Sequence, residues 1–193
     1  QCRYSYMTTG ESKEIAETLR QKKIPCDAIW FDIDHMDSYR VFTFDKKRFT
    51  DVKHHFNYLT SLGFRKVVIV DPGVKNDPPG IYPVTDEGTQ KGYFVRYPDG
   101  SEYSGSVWPG GVKFPDFSRE DVRSWWRDLH KIYTDVGVDG FWNDMNEPSV
   151  LDAAGTVPDD VILSDNGKDS PMSKMHNVYA NLELAEGLDL KTN

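Results

Sequence analysis

Cysteine is almost missing from this sequence. Cys2 and Cys26 are the two in 193 residues; they give neither a metal-binding spacing nor a disulfide framework, and both fall near the starts of neighbouring candidate strands, where buried free thiols are expected. The five histidines form no HExxH-type pattern, and His54-His55 reads as a helix face. No run of 18 apolar residues is present, so no membrane-spanning helix is expected, and no signal-peptide pattern opens the chain. Basic runs are absent and the net charge is −8, which argues against nucleic acid as the main partner. No GxGxxG or GxxxxGK(S/T) follows a candidate strand, which removes support for nucleotide-binding sheets. The expectation is therefore no cofactor, no metal, no nucleic acid and no membrane. Because the chain begins at Gln1 and not Met, it reads as an excerpt or processed piece. The compartment stays open, with the cytoplasm preferred to a secreted or lumenal setting.

What is present is a β/α alternation. Residues 2–6 form a short strand candidate. Residues 12–22 read as a helix, with Ile15 and Leu19 spaced i, i+4 and Glu11 and Glu14 near its N-terminal end. Residues 27–31 are a near-continuous apolar strand that runs into Asp32-Ile33-Asp34; alternation would point Asp32 and Asp34 to one side. Asp51 caps a helix carrying Val52, Phe56 and Leu59, and Gly63 ends it. Residues 66–70 are a β-branched strand ending at Asp71. Residues 74–117 show no helix pattern and read as an insertion over the active face, with strand fragments, a Pro98-Asp99-Gly100 turn and an indole at Trp108. Ser118 caps a helix with Val122, Trp125, Leu129 and Ile132 as its apolar stripe, closed by Gly137. Residues 138–143 form the next strand, ending at Asp144. Residues 151–169 are a polar loop, and Ser170-Pro171 starts a last helix with Met172, Met175, Tyr179 and Leu182 on one face. This order implies a parallel sheet: half of a (β/α)8 barrel, or a small doubly wound sheet.

Three of these strands end in acids: Asp32 with Asp34, Asp71, and Asp144. Catalytic groups of parallel α/β proteins sit where strands end and loops begin. Carboxylates converging there suit glycoside chemistry, in which one acid is ionised beside an oxocarbenium-like centre and another donates a proton to the leaving oxygen. The 13% of aromatic residues fits either a groove that stacks on sugars or an aromatic core. A metal-binding reading of Asp32 and Asp34, with phosphoryl transfer as its activity, has no third nearby carboxylate and no phosphate-binding loop to support it.

The segments Cys2-Arg3-Tyr4-Ser5-Tyr6, Ile29-Trp30-Phe31-Asp32-Ile33-Asp34-His35-Met36, Val70-Asp71-Pro72-Gly73, Val107-Trp108-Pro109-Gly110, Phe114-Pro115-Asp116-Phe117, Asp139-Gly140-Phe141-Trp142-Asn143-Asp144-Met145-Asn146-Glu147-Pro148 and His176-Asn177-Val178-Tyr179 together resemble the glycoside hydrolase family 31 α-glucosidases. The resemblance spans almost the whole chain in order. It implies about the first four units of a (β/α)8 barrel, with 74–117 inserted after the third strand, and retaining hydrolysis of terminal non-reducing α-linked glucose from oligosaccharides or α-glucosides. By resemblance Asp144 is the nucleophile and Asp32 binds sugar hydroxyls at the −1 subsite. Ile33, Tyr4, Val74, Trp108, Trp142 and Met145 match lining positions. Asp34, Asp71 and Glu147 are read as supporting acids. Tyr4 stands where many relatives carry Trp.

The family's Trp-Thr-Gly-Asp-like acid/base segment has no counterpart here, nor do its later sugar-binding Arg and His or its flanking β-sandwich domains. The expectation is a piece of a larger enzyme, completed by the rest of the barrel in cis or by another chain, whose sheet has two open edges. The alternatives are an α-xylosidase or transglycosylase of the same family, and a noncatalytic sugar-binding half-barrel.

Overall fold

The structure is a computed structural model and describes residues 3, 5–152, 155–165 and 167–187. They fall into two compact units, Gln1–Val70 with His130–Asp144, and Asp71–Leu129 with Met145–Asn193.

The first unit is built on a three-stranded parallel sheet in the order β1 (Ala28–Phe31), β2 (Arg65–Val70) and β6 (Gly140–Asn143). Its register pairs Phe31 with Val68 and Val70 with Asn143. Parallel neighbours need long crossovers, and α2 (Val52–Ser61) supplies the one between β1 and β2. Asp51 caps α2 as its sequence suggests, accepting from the His54 N–H at 3.2 Å. The preceding α1 (Thr9–Gln21) starts three residues earlier than expected, because Thr8 and Glu11 form a capping pair. The Thr8 hydroxyl accepts from the Glu11 N–H at 3.1 Å, and the Glu11 carboxylate accepts from Met7 N–H at 2.9 Å. In the expected first strand, Cys2 and Tyr4 lie outside the described residues, and Arg3, Ser5 and Tyr6 join no strand. Residues 41–44 are a turn and loop, with Phe42 at φ +58°.

The core of this unit is aromatic. Phe31 packs on Phe56 at 5.3 Å between centroids, Phe44 on Tyr133 at 5.3 Å and His130 on Phe141 at 4.6 Å. Edge and tilted contacts of this kind add about 0.5–1.5 kcal/mol per pair beyond the area they bury. Much of the aromatic content is thus core. Ile132, read as core, is 43% exposed, whereas Tyr133 is fully buried. The single long helix expected over 118–136 breaks at His130 into α4 (Glu120–Leu129) and the short α5 (Lys131–Thr134), which changes the face that residue 132 presents.

The second unit holds an antiparallel sheet, β3 (Val74–Lys75), β5 (Gly110–Lys113) and β4 (Gly105–Val107) in that order, and a separate hairpin, β7 (Ile162–Asp165) with β8 (Lys168–Pro171). Residues 74–117 contain a helix that periodicity did not predict, α3 (Pro83–Lys91). It has almost no apolar stripe; its signals are Pro83 at the first position, Asp86 in the first turn, Lys91 in the last and Gly92 in the left-handed C-cap. Ser118 does not cap α4. Its hydroxyl donates to Asp116 at 2.5 Å and α4 begins at Glu120. The loop expected over 151–169 contains β7, and Pro171 closes β8 instead of opening α6 (Met172–Gly187). Met172 and Tyr179 are buried, as the stripe on that helix required. Phe117 joins α4 to α6, 5.3 Å from Trp126 and 5.0 Å from Tyr179.

Candidate active site

In the first unit β1 and β6 deliver Asp32 and Asp144 to the same, C-terminal edge of the sheet, with β2 between them. Two strand spacings put their backbones roughly 10 Å apart. Asp144 is half-buried, and its N–H donates to the Val70 carbonyl at 3.3 Å, extending the ladder one residue beyond β6. Trp142 on β6 is half-buried, its ring edge-on to Trp30 at 6.2 Å.

The chain leaves β1 abruptly. Asp32 caps a 3-10 turn, Ile33–His35, and its Oδ1 accepts from the Ile33 N–H at 2.7 Å. The alternation expected of Asp32 and Asp34 therefore fails, since it presumed an extended chain that ends at Asp32. Asp34 is turned toward Arg48, whose Nη1 lies 3.3 Å from Oδ1; Asp34 Oδ2 is buried with no hydrogen-bond partner among the described residues. Arg48 also donates to Asp45 at 2.8 Å and to the Met36 carbonyl at 3.2 Å. Burial alone would push the Asp45 carboxyl up, but the Lys47 N–H and the Arg48 guanidinium more than offset this and hold it below its usual value. Ile33 is buried.

Sequence reasoning missed the neighbours of this turn. His35 is buried, with Nδ1 2.9 Å from the Asp32 carbonyl and Nε2 3.3 Å from the Tyr133 hydroxyl. The carbonyl only accepts, so Nδ1 carries the proton and Nε2 accepts from Tyr133. Burial pushes the ring down to about 4, with the Asp32 carbonyl opposing and the Arg48 charge adding to the shift, so it is neutral near pH 7. Tyr133 stands 98 residues from His35 in sequence, and no motif links them.

The second unit carries the other candidates. Asp71 and Val74 are buried. Gly73 lies so close to the β4–β5 hairpin that a Cβ there would meet Val107 at 2.8 Å. Trp108 sits at the tip of that hairpin, half-buried, with Nε1 buried and without a hydrogen-bond partner among the described residues. The loop after β6 is tied to the same sheet, Leu151 N–H donating to the Ser106 carbonyl at 2.7 Å. In that loop Met145 has φ +60°, the Glu147–Pro148 peptide is cis, and the exposed Glu147 accepts from the Ser149 hydroxyl at 2.6 Å. Behind it, Glu183 of α6 is 4% exposed. Burial pushes its carboxyl up to about 8, and the Asn146 amide and Trp126 indole offset part of that shift. Tyr4, expected to line the site, lies outside the described residues.

Residues 1–188 match the model of the glycosyl hydrolases family 31 TIM-barrel domain. The chain belongs to family 31. Its α/β architecture is accordingly part of that family's barrel. It is 48% identical over 179 residues to alpha-glucosidase 2 of Bacillus thermoamyloliquefaciens, covering 93% of this chain and 22% of that protein. It is 33% identical over 200 residues to neutral alpha-glucosidase AB of Sus scrofa, covering 100% of this chain and 21% of that one. A crystal structure of the glucosidase II alpha subunit, described as Glc1Man2-bound, superposes with a TM-score of 0.86 at 32% identity over 97% of this chain and 21% of its own. The family 31 alpha-glucosidase of Bacteroides thetaiotaomicron does so with a TM-score of 0.75 at 41% identity, over 97% and 29%. The chain thus spans about a fifth of the length of the curated relatives named here.

Proposed function

We propose that this chain carries the nucleophile of a retaining α-glucosidase and acts as part of a longer protein. The observation that carries the reading is the placement of Asp144 and Asp32 at the C-terminal ends of β6 and β1, two strands apart on one edge of a parallel sheet of this family. In the proposed reaction the Asp144 carboxylate attacks the anomeric carbon of a terminal α-linked glucose. The glycosidic C–O bond breaks, the leaving oxygen takes a proton from an acid in the remainder of the protein, and a glucosyl ester forms on Asp144. Water, deprotonated by that same group, then attacks the anomeric carbon and returns the carboxylate. Two inversions leave the configuration retained. Asp32 accepts hydrogen bonds from hydroxyls of the bound ring. By the family resemblance, Ile33, Tyr4, Val74, Trp108, Trp142 and Met145 are the proposed lining positions of the subsite, and Asp34, Asp71 and Glu147 the proposed supporting acids. Residues 74–117 are the proposed insertion of the barrel.

The test is intact-protein mass of the full-length protein after mixing with an α-glucoside bearing a very good leaving group. A stoichiometric glucosyl adduct, absent from Asp144→Asn, is expected. An adduct of equal yield in Asp144→Asn removes Asp144 as nucleophile.

A further inference from the structure

We propose that His35, backed by Tyr133, is a positioning residue that sets the carboxylate of Asp32 by holding the Asp32–Ile33 peptide plane. The inference rests on the reading of Asp32 as the group that binds sugar hydroxyls.

The Asp32 carboxylate is pinned by the Ile33 N–H at 2.7 Å. That N–H and the Asp32 carbonyl belong to one peptide unit, and a peptide unit is planar. Whatever holds the carbonyl therefore aims the N–H, and with it the carboxylate. His35 holds the carbonyl twice, through its backbone N–H at 3.3 Å and its ring Nδ1 at 2.9 Å. The backbone contact belongs to the 3-10 turn and is long; the ring contact is the shorter.

The ring in turn has no freedom to rotate without cost. Phe44, Phe49 and Tyr133 surround it, with centroids 5.4, 6.4 and 5.7 Å away. Its Nε2 accepts from the Tyr133 hydroxyl at 3.3 Å, and the Tyr133 oxygen accepts from the Phe42 N–H at 2.8 Å. Phe42 itself sits at φ +58°, a conformation an aromatic residue holds only where its surroundings impose it. A histidine that merely filled this core would be replaceable by phenylalanine. Here both ring nitrogens are engaged, one of them on the residue that bears the sugar-binding acid.

The experiment uses the full-length protein with an aryl α-glucoside and its panel of monodeoxy analogues. Asp32→Asn first shows which hydroxyls Asp32 reads: the kcat/KM preference for the parent over the deoxy analogue should collapse at those positions. His35→Asn places an amide nitrogen where Nδ1 was, and His35→Gln can turn its amide oxygen to where Nε2 was, as an acceptor for the Tyr133 hydroxyl. The Gln variant, which keeps the Tyr133 contact and loses the Asp32 contact, should lower the same preference about tenfold. The Asn variant should keep the larger share of it. Tyr133→Phe should lower it in the same positions by a smaller factor. A Gln variant that discriminates as sharply as the Asn variant, both folded by circular dichroism, overturns the proposal. If the Gln variant does not fold, an unchanged preference in Tyr133→Phe overturns it instead. If Asp32→Asn leaves every preference at the wild-type value, the sugar-binding reading of Asp32 has failed, and the proposal with it.

Discussion

Replacing Glu183 by Gln should stabilise the protein, and by more as the pH rises. The carboxyl ordinarily titrates at 4.5, and burial in the second unit pushes it up to about 8. Between those values the folded state retains a proton that the unfolded chain releases. A group whose folded value is raised supports folding fully below its unfolded value, and that support drains away as the pH climbs through the folded one. A difference of one bound proton tilts stability by about 1.4 kcal/mol for each step of one in pH, and by on the order of 5 kcal/mol across the whole window. Glutamine does not titrate. Its local effects, including the replacement of a carboxyl by an amide beside Asn146 and Trp126, are independent of pH. The informative quantity is therefore the slope of the difference between the two proteins, not its absolute size. Asp116 is also raised by burial, its bonds to Ser118 and Ser164 offsetting part of that, but it titrates in both proteins and cancels to first order. Tyr179 is raised well above its ordinary 10, first by burial and then by the Glu183 charge, and stays neutral throughout. Urea unfolding of both proteins at pH 5, 6, 7 and 8 should show Glu183→Gln gaining roughly 4 kcal/mol relative to wild type between the extremes. A difference that does not change with pH would refute the reasoning, because it would mean that Glu183 is charged in the folded state and solvated or paired there.

Other outcomes follow from single contacts. Asp139→Ala strips the Lys66 ammonium, 3% exposed, of the carboxylate 2.6 Å away and leaves it the Thr60 hydroxyl; unfolding should be easier by about 3–5 kcal/mol, and a loss below about 1 would mean that the lysine reaches water. Gly88→Ala drives a methyl to within 2.5 Å of the buried Phe94 ring; the clash should outweigh the helix propensity of alanine and cost about 1–2 kcal/mol, read as a lower urea midpoint. His35 is depressed from 6.5 to about 4 by burial, so its contribution is intact above 6.5 and is lost as the pH falls to about 4. This amounts to about 3 kcal/mol, and acid unfolding of His35→Asn should be shallower over that interval. Phe31→Ala, at the centre of the aromatic cluster of the first unit, should cost about 3–5 kcal/mol.

The strands of the parallel sheet were legible because each is a short apolar run that ends in an acid. Residues 66–70 hold an uninterrupted β-branched run, the pattern of a strand buried on both faces of a parallel sheet. Asp51 and Gly63 were legible because caps are local chemistry. What escaped were structures whose causes are not periodic. Helix α3 has one buried aliphatic residue, Val84, and is announced by its end signals, Pro83, Asp86, Lys91 and Gly92, rather than by a stripe. Hairpin β7–β8 turns at Gly167, φ +78°, inside a segment too polar to look like strands. Ile132 falls outside the core because no continuous stripe crosses His130, where the helix breaks. At the site, residue identity placed Asp32 and Asp144 at strand ends, but the turn at Ile33 reversed the expected orientation of Asp34. The contacts around the turn after β1, made by Arg48, His35 and Tyr133, are joined only in three dimensions.

The two ends of the parallel sheet hold their acids differently. At the start of β2 and just before β6, Arg65 and Lys66 share the carboxylate of Asp139, which lies 2.9 Å from Arg65 and 2.6 Å from Lys66. Burial would raise the Asp139 carboxyl, but the two cations and the Lys66 N–H more than offset this and hold it below its usual range. The charges at that end hold strands together. At the other end Asp34 lies against the Arg48 guanidinium, while the Asp32 carboxylate accepts from a backbone N–H. The ion pairs at the first end tie β2 to the residue before β6, whereas Asp32 stands at the strand end proposed above to bind sugar. The contrast predicts opposite consequences for matched substitutions. Asp139→Asn should lower stability and leave the kcat/KM of the folded full-length enzyme near wild type. Asp32→Asn keeps an oxygen that can accept from the Ile33 N–H, so it should cost less stability than Asp139→Asn, and it should remove most activity on an aryl α-glucoside. Equal stability losses in the two variants would break the link drawn between strand end and role.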